Sequence, residues 1–258
     1  MATLSIRKIA KDWFGLTGSF SVNSHLYGYA CRDDSGRLFG RLGANDKLPA
    51  SGTPLTRSLK RHLETVSGKA TDLVIILVAH ESNFSGLVSR DQVTKIQYAI
   101  QVMRDIYAQV DFGVRKIRWT HIPVADSGTY AWISGRDEAQ DLTDDWSGPG
   151  DGIDVFAVQT FRGAEGWSNT DGPCSKKSKW HLSGAVVQVD GITRRTLGVI
   201  LAHEIGHYLG LSHGDNIANV MGTDIDGNGV GDTNDDSTQL TSSQGQTMKR
   251  HCAVRPRW

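Results

Sequence analysis

The residues with the clearest chemical meaning fall in one run of the chain, His203-Glu204-Ile205-Gly206-His207-Tyr208-Leu209-Gly210-Leu211-Ser212-His213. Residues four apart share one face of a helix, so His203 and His207 can present their imidazoles to a single ion, with Glu204 one residue round from the first. Gly210 has no Cβ and can end that helix in a left-handed conformation, which swings the chain back and brings His213 to the same metal. Three neutral nitrogens leave a fourth tetrahedral position for water. That is the donor set of a catalytic zinc rather than of a closed structural one.

Such a run works only if a core holds its helix, and the flanking sequence supplies one. Leu197, Ile200, Leu201 and Ile205 recur at helical spacing, predicting a helix from near Thr193 to Gly210. Further upstream, Leu73 to Ala79 (LVIILVA) is a continuous aliphatic run of strand length, consistent with burial on both faces. Ser89 and Gln92 form a capping box, and Val93, Ile96, Ile100, Met103, Tyr107 and Val110 mark one face of the long helix that follows. Alternation in Val114, Ile117, Trp119 and Ile122 predicts a second strand, Ile153 to Phe161 a third and Gly184 to Val189 a fourth. The Gly, Ser, Asn and Lys-rich connection from Gly163 to Lys179 reads as loop. Thr241 and Gln244 form another capping box, opening a short closing helix with Met248.

This order predicts an α+β fold with one twisted, mostly parallel sheet, a long backing helix, an active-site helix and a C-terminal helix. Residues 1–70 form a distinct stretch. Asp33-Asp34-Ser35-Gly36 between short apolar runs suggests a hairpin, and Thr53-Pro54 opens a helical pattern of Leu55, Leu59, Leu63 and Val66. The chain thus divides into an N-terminal extension, pro-segment-like or accessory, over 1–70 and a catalytic domain over 71–258.

Composition narrows the partners. The 28 Lys plus Arg balance 28 Asp plus Glu, which argues against nucleic acid or anionic membrane as the main partner, since both are held by clustered cations. No run is long and apolar enough to span a bilayer. The 3 cysteines are too few for a disulfide scaffold. The first twenty or so residues, MATLSIRKIAKDWFGLTGSF, lack the apolar block of a secretory leader.

The run HEIGHYLGLSH, followed by Asn219-Val220-Met221-Gly222, resembles the metzincin clan of zinc endopeptidases, whose long zinc motif is followed by a tight turn carrying a methionine beneath the metal. The likeness is specific over His203 to Met221 and extends in layout from about Asp72 to the C-terminus. It implies a zincin-like fold, with His203, His207 and His213 as zinc ligands, Glu204 as general base and acid, Met221 in the turn, and protein or peptide as substrate. Thr223 stands where astacins and serralysins carry a tyrosine, and LTSSQGQTMKRH is similar to the closing helix of matrixin-like bacterial members. A matrixin-like or unclassified subgroup is therefore expected. Two other readings stay open: a zinc hydrolase of another amide, such as a peptidoglycan peptide, and a metzincin-fold binding protein without turnover. Because metzincins mostly work outside cells, the resemblance implies an extracellular or exported protein without a recognisable signal peptide, with a cytoplasmic one as the alternative. The oligomeric state is not readable.

Asp224, Asp226, Asn228, Val230, Asp232 and Asp235 fall at the ligand positions of a calcium loop, with Gly229 at the sharp turn. The last position is Asp rather than a bidentate Glu, so a calcium site and a solvated Gly and Asp-rich turn both remain open. In metzincins this connection walls the specificity pocket, and from Gly214 to Thr247 it holds no Lys or Arg, so an acidic rim is expected. A Cys174–Cys252 disulfide would tie the strand connection to the region after the last helix. Cys31 then reads as an ordinary hairpin cysteine or as a thiol capping the zinc, although YACRDD does not match the switch motif of matrixin propeptides. His25, His62, His80, His121, His181 and His251 show no ligand spacing.

Overall fold

The aliphatic run at Leu73 forms the middle of β1 (Lys69–Val78), and its period-two alternation explains why it is apolar throughout. Leu73, Ile75 and Leu77 pack into one core cluster, whereas Ile76 and Val78 pack into another on the opposite face of the sheet. A computed structural model supplies this description for residues 68–81, 86–148, 152–174, 182–214, 216–222 and 234–256. The hairpin and helix expected within residues 1–67 lie outside those residues, as do Cys31, His25, His62 and His181. Because β1 begins at Lys69, the expected boundary after residue 70 falls inside a strand.

In order along the sheet come β2 (Phe112–Ile122), β1, β4 (Ile153–Val158), β7 (Ala185–Gln188) and β6 (Gly166–Ser168). The first four are mutually parallel, and β6 closes one edge antiparallel to β7. A short β8 (Arg255–Pro256) pairs antiparallel with the start of β1. The mixed, mostly parallel sheet with several helices is the architecture that the sequence predicts.

One face carries α1 (Arg90–Ala108) and α3 (Arg194–Tyr208). Both sides of the Ser89–Gln92 capping box are present, and the buried stripe of α1 includes Val93, Ile96, Ile100, Met103 and Tyr107. The two helices cross closely at Gly198, where an added Cβ would lie 2.5 Å from Val102 Cβ and 3.0 Å from the Ala99 carbonyl. The Tyr107 hydroxyl donates to the Ala202 carbonyl at 2.8 Å, tying α1 to the helix that carries the first two histidines. The opposite face carries α2 (Arg136–Trp146), which buries only Ala139, Leu142 and Thr143. The closing helix is α4 (Ser242–Arg250), with its Thr241–Gln244 capping box formed.

Two local departures have physical causes. The run expected as one strand from Ile153 to Phe161 is divided at Gln159. There the amides of Gln159 and Thr160 turn to the Ala131 carbonyl, so that β5 (Thr160–Phe161) leaves the main sheet and pairs with β3 (Trp132–Ile133). The connection read as loop from Gly163 contains β6, whose strand partner among the described residues is β7. Among the described residues no helix is long and apolar enough to cross a membrane.

Candidate metal centre and its cleft

The helix α3 starts from an orthodox cap, with Thr193 Oγ1 accepting from the Thr196 amide at 3.0 Å. From Leu197 to Tyr208 every residue is buried, because sheet, α1 and the turn at Met221 pack around it. Gly206 permits the last of these contacts. A Cβ there would lie 2.8 Å from Met221 Sδ. The helix ends at Gly210 with φ +91, a left-handed conformation suited to glycine, and the Leu211 amide returns to the Gly206 carbonyl at 3.0 Å. The chain then doubles back to His213, as the spacing predicts.

Each buried imidazole is oriented from behind. His203 Nδ1 donates to the Val220 carbonyl and His207 Nδ1 to the Leu211 carbonyl, each at 2.7 Å. Carbonyls accept only, so both rings carry their proton on Nδ1 and turn the Nε2 lone pair inward. His213 Nε2 lies 3.2 Å from His203 Nε2 and 3.0 Å from His207 Nε2. Ligands at the usual zinc–nitrogen distance of about 2.05 Å, arranged tetrahedrally, stand about 3.3 Å apart. The donor set therefore fits zinc in both chemistry and spacing, and His203, His207 and His213 form a group able to hold a metal ion. Burial, reinforced by the neighbouring His207, lowers the His203 pKa to about 3, and burial lowers that of His207 to about 4. Both rings are thus neutral, as metal ligands must be.

Glu204 is buried beside them, and burial pushes its carboxyl well above the usual carboxylate range. Its side chain lies against the backbone of β6: a Cβ on Gly166 would come within 2.8 Å of Glu204 Cγ and Oε1. A cleft of about 950 Å³ runs over this group, lined by the three histidines, Glu204, Gly166 and Trp167 among others.

Supports from α4 and from the segment after β6 were not legible as such. Asn219 Oδ1 accepts from the Met221 amide at 2.9 Å, and Asn219 and Gln244 exchange two amide hydrogen bonds, each of 2.9 Å. Gln244 therefore both caps α4 and braces the methionine turn. After β6 the chain runs as a strap across the end of α3. The Asp171 and Gly172 amides donate to the His207 and Tyr208 carbonyls at 2.9 Å each, and the Tyr208 hydroxyl donates to the Pro173 carbonyl at 2.8 Å. His251 Nε2 donates to the Gly172 carbonyl at 2.9 Å. A Cys174–Cys252 disulfide is present and fastens the strap to the segment after α4. His80 and His121 meet edge to face at 5.7 Å.

Of the expected calcium ligands, Asp224, Asp226, Asn228, Val230 and Asp232 lie outside the described residues. Asp235 is placed, with its carboxylate accepting from the Thr196 hydroxyl at 2.6 Å and its carbonyl from Arg195 Nε at 3.0 Å.

Residues 89–214 match the metallo-peptidase family M12B reprolysin-like model. No curated protein matches the chain. Among solved structures, a chain from a chaperone–substrate complex is similar at 12% identity and a TM-score of 0.45, over 73% of this chain, which spans 36% of that neighbour's length. Archaemetzincin from Methanopyrus kandleri is similar at 14% identity and a TM-score of 0.44, over 70% of this chain and 95% of its own. Metalloproteinase-II from Bacteroides fragilis is similar at 17% identity and a TM-score of 0.44, over 69% of this chain and 52% of its own. The family match runs from the cap of α1 through the third histidine and, together with the group of three histidines, supports a metzincin-type zinc metallopeptidase.

Proposed function

We propose that the chain is an endopeptidase that hydrolyses internal peptide bonds of proteins, with His203, His207 and His213 holding zinc and Glu204 moving the protons. The convergence of three imidazole Nε2 atoms beside a buried carboxyl, at the floor of an open cleft, carries the reading. When bound, zinc supplies Lewis acidity, lowering the pKa of a water and polarising a carbonyl. Glu204 takes the proton of the attacking water and returns it to the leaving amine. Met221 packs under the histidines against Gly206 and keeps the floor from shifting. The outer side of β6 offers backbone donors and acceptors to an extended peptide, which favours a peptide over a compact amide as substrate.

The rest of the reading is a catalytic domain over 71–258, an accessory or pro-segment over 1–70, a calcium loop over 224–235, and work outside the cell. The Cys174–Cys252 bridge supports the last point, since disulfides persist in oxidising compartments. Glu204→Gln tests the chemistry. The variant is expected to bind one zinc per chain, by metal analysis, and to lose casein hydrolysis about a thousandfold. Wild-type turnover by the zinc-loaded variant would remove Glu204 from its role.

A further inference from the structure

The described lining of the cleft is not the acidic rim that the Asp-rich segment suggests. Besides the histidines and Glu204, its charged side chains are Arg136, Arg162 and Glu165. Both arginines are exposed, and neither has a hydrogen bond or ion pair through its side chain with a described residue. Guanidiniums are ordinarily matched by carboxylates, and the acid two residues from Arg136, Glu138, is engaged otherwise. Glu138 accepts from the Ser134 amide at 2.7 Å and the Thr129 hydroxyl at 2.6 Å. The residues three and four beyond Arg136 on α2, where a helical partner would stand, are Ala139 and Gln140. Arg136 is also the first residue of α2, where the helix field favours an acid and works against a cation. A charge kept against local preference at the edge of a reactive cleft points to a ligand.

The two arginines are anchored at their backbones. The Arg162 amide donates to the Ile133 carbonyl at 2.8 Å, and the preceding Phe161 amide donates to Gln188 Oε1 at 2.7 Å. Arg136 follows Ile133 by one turn of chain, so the small β3–β5 ladder sets both positions.

We propose that Arg136 and Arg162 select substrates carrying a carboxylate near the bond to be cut, supplied by an acidic side chain or by the chain terminus. This rests on the peptidase reading above. An extended peptide on β6 passes this wall, and its carboxylate completes the pairing that the fold leaves open. Because both guanidiniums are exposed, the discrimination is about tenfold, well short of the ten-thousandfold of a site whose polar groups are buried.

Zinc-loaded full-length protein is given a peptide library with blocked termini. From the sequenced products, matched pairs are made that differ by Glu or Gln at each position flanking the cut, and by a free or amidated C-terminus. The expected result is about a tenfold higher kcat/KM for Glu over Gln at one position, or for the free terminus over the amide. The first outcome assigns the carboxylate to a side chain and the second to the terminus. In Arg136→Gln/Arg162→Gln that ratio falls to about one, and Arg136→Glu/Arg162→Glu reverses it toward Lys-containing peptides. The ratio is internal to each enzyme, so a change in total activity does not mimic it. Cleavage without charge preference, or a preference that survives the double substitution, overturns this proposal and leaves the peptidase reading intact. No cleavage of any library peptide overturns both.

Discussion

The two walls of the cleft are built on opposite principles. The floor rests on α3, which is buried from Leu197 to Tyr208; Gly198 and Gly206 sit where side chains would collide, and the Nδ1 atoms of His203 and His207 are engaged by backbone carbonyls. The roof, formed by β3, β5 and β6, consists of two- and three-residue strands, with β6 held from one side only and cations left exposed beside it. Atoms that must be placed to a fraction of an ångström belong on the first kind of wall. Groups that must meet a varying substrate belong on the second.

The contact between the walls is the place to break that division. At Gly166 the roof backbone touches the Glu204 carboxyl, and an added Cβ would stand 2.8 Å from its Oε1. Gly166→Ala is therefore expected to cut kcat about a hundredfold by displacing the carboxyl. Zinc content and melting temperature should stay near wild type, because β6 is an edge strand that contributes no fully buried residue to the core clusters and only Trp167 packs against one of them. A large fall in melting temperature would mean that roof and floor are one structural unit. Full activity would mean that the carboxyl position is not set by the roof.

The strap after β6 crosses from roof to floor, and its disulfide measures how much of the floor depends on it. Cys174 and Cys252 are exposed and 78 residues apart in sequence. Chain-entropy arguments give such a bridge at most about 4.5 kcal/mol, and measured effects usually fall at about 2–4 kcal/mol. Cys174→Ser/Cys252→Ser should lose that much in urea unfolding. If the strap positions His207 through the Asp171 amide, zinc affinity falls as well. Unchanged zinc affinity would show that the floor holds itself.

What the sequence made legible follows the same division. The floor was readable because its demands are local. Histidines at fixed spacing, Gly210 at a left-handed φ and paired capping residues at Ser89 and Thr241 each signal through neighbours in the chain. The roof was not readable because its pattern is set by distant partners. Gly166–Ser168 becomes a strand only through Ala185–Val187, and nothing within Gly-Trp-Ser alternates long enough to register. The helix α2 escaped for a related reason: Gly135 caps it without a side-chain bond, and its buried stripe is Ala139, Leu142 and Thr143. Gln159 shows the limit within a single run, since its amide leaves the sheet for Ala131 although its apolar neighbours continue the strand pattern. The arginines of the cleft were invisible for the same reason: Arg136 and Arg162 come to one wall only through the β3–β5 ladder.

The smallest expected effect asks whether acid attacks the floor first. His80, at the end of β1, is buried, with Nδ1 donating to the Val88 carbonyl at 3.0 Å. Burial lowers its pKa from 6.5 to about 4. Between those values the unfolded chain binds the proton and the folded chain does not, so stability rises with pH across the window and is lost as pH falls through it. The loss by pH 5 is at most about 2 kcal/mol. His203 and His207 are shifted the same way by burial, and without zinc they act in the same window. Comparing metal-free wild type with His80→Gln in urea at pH 7 and pH 5 separates the two sources, because the triad's share is common to both and cancels. The variant should show the shallower pH dependence. An identical slope would assign the acid sensitivity to the floor, making the wall built for chemistry also the first to yield when its histidines are forced to take up protons.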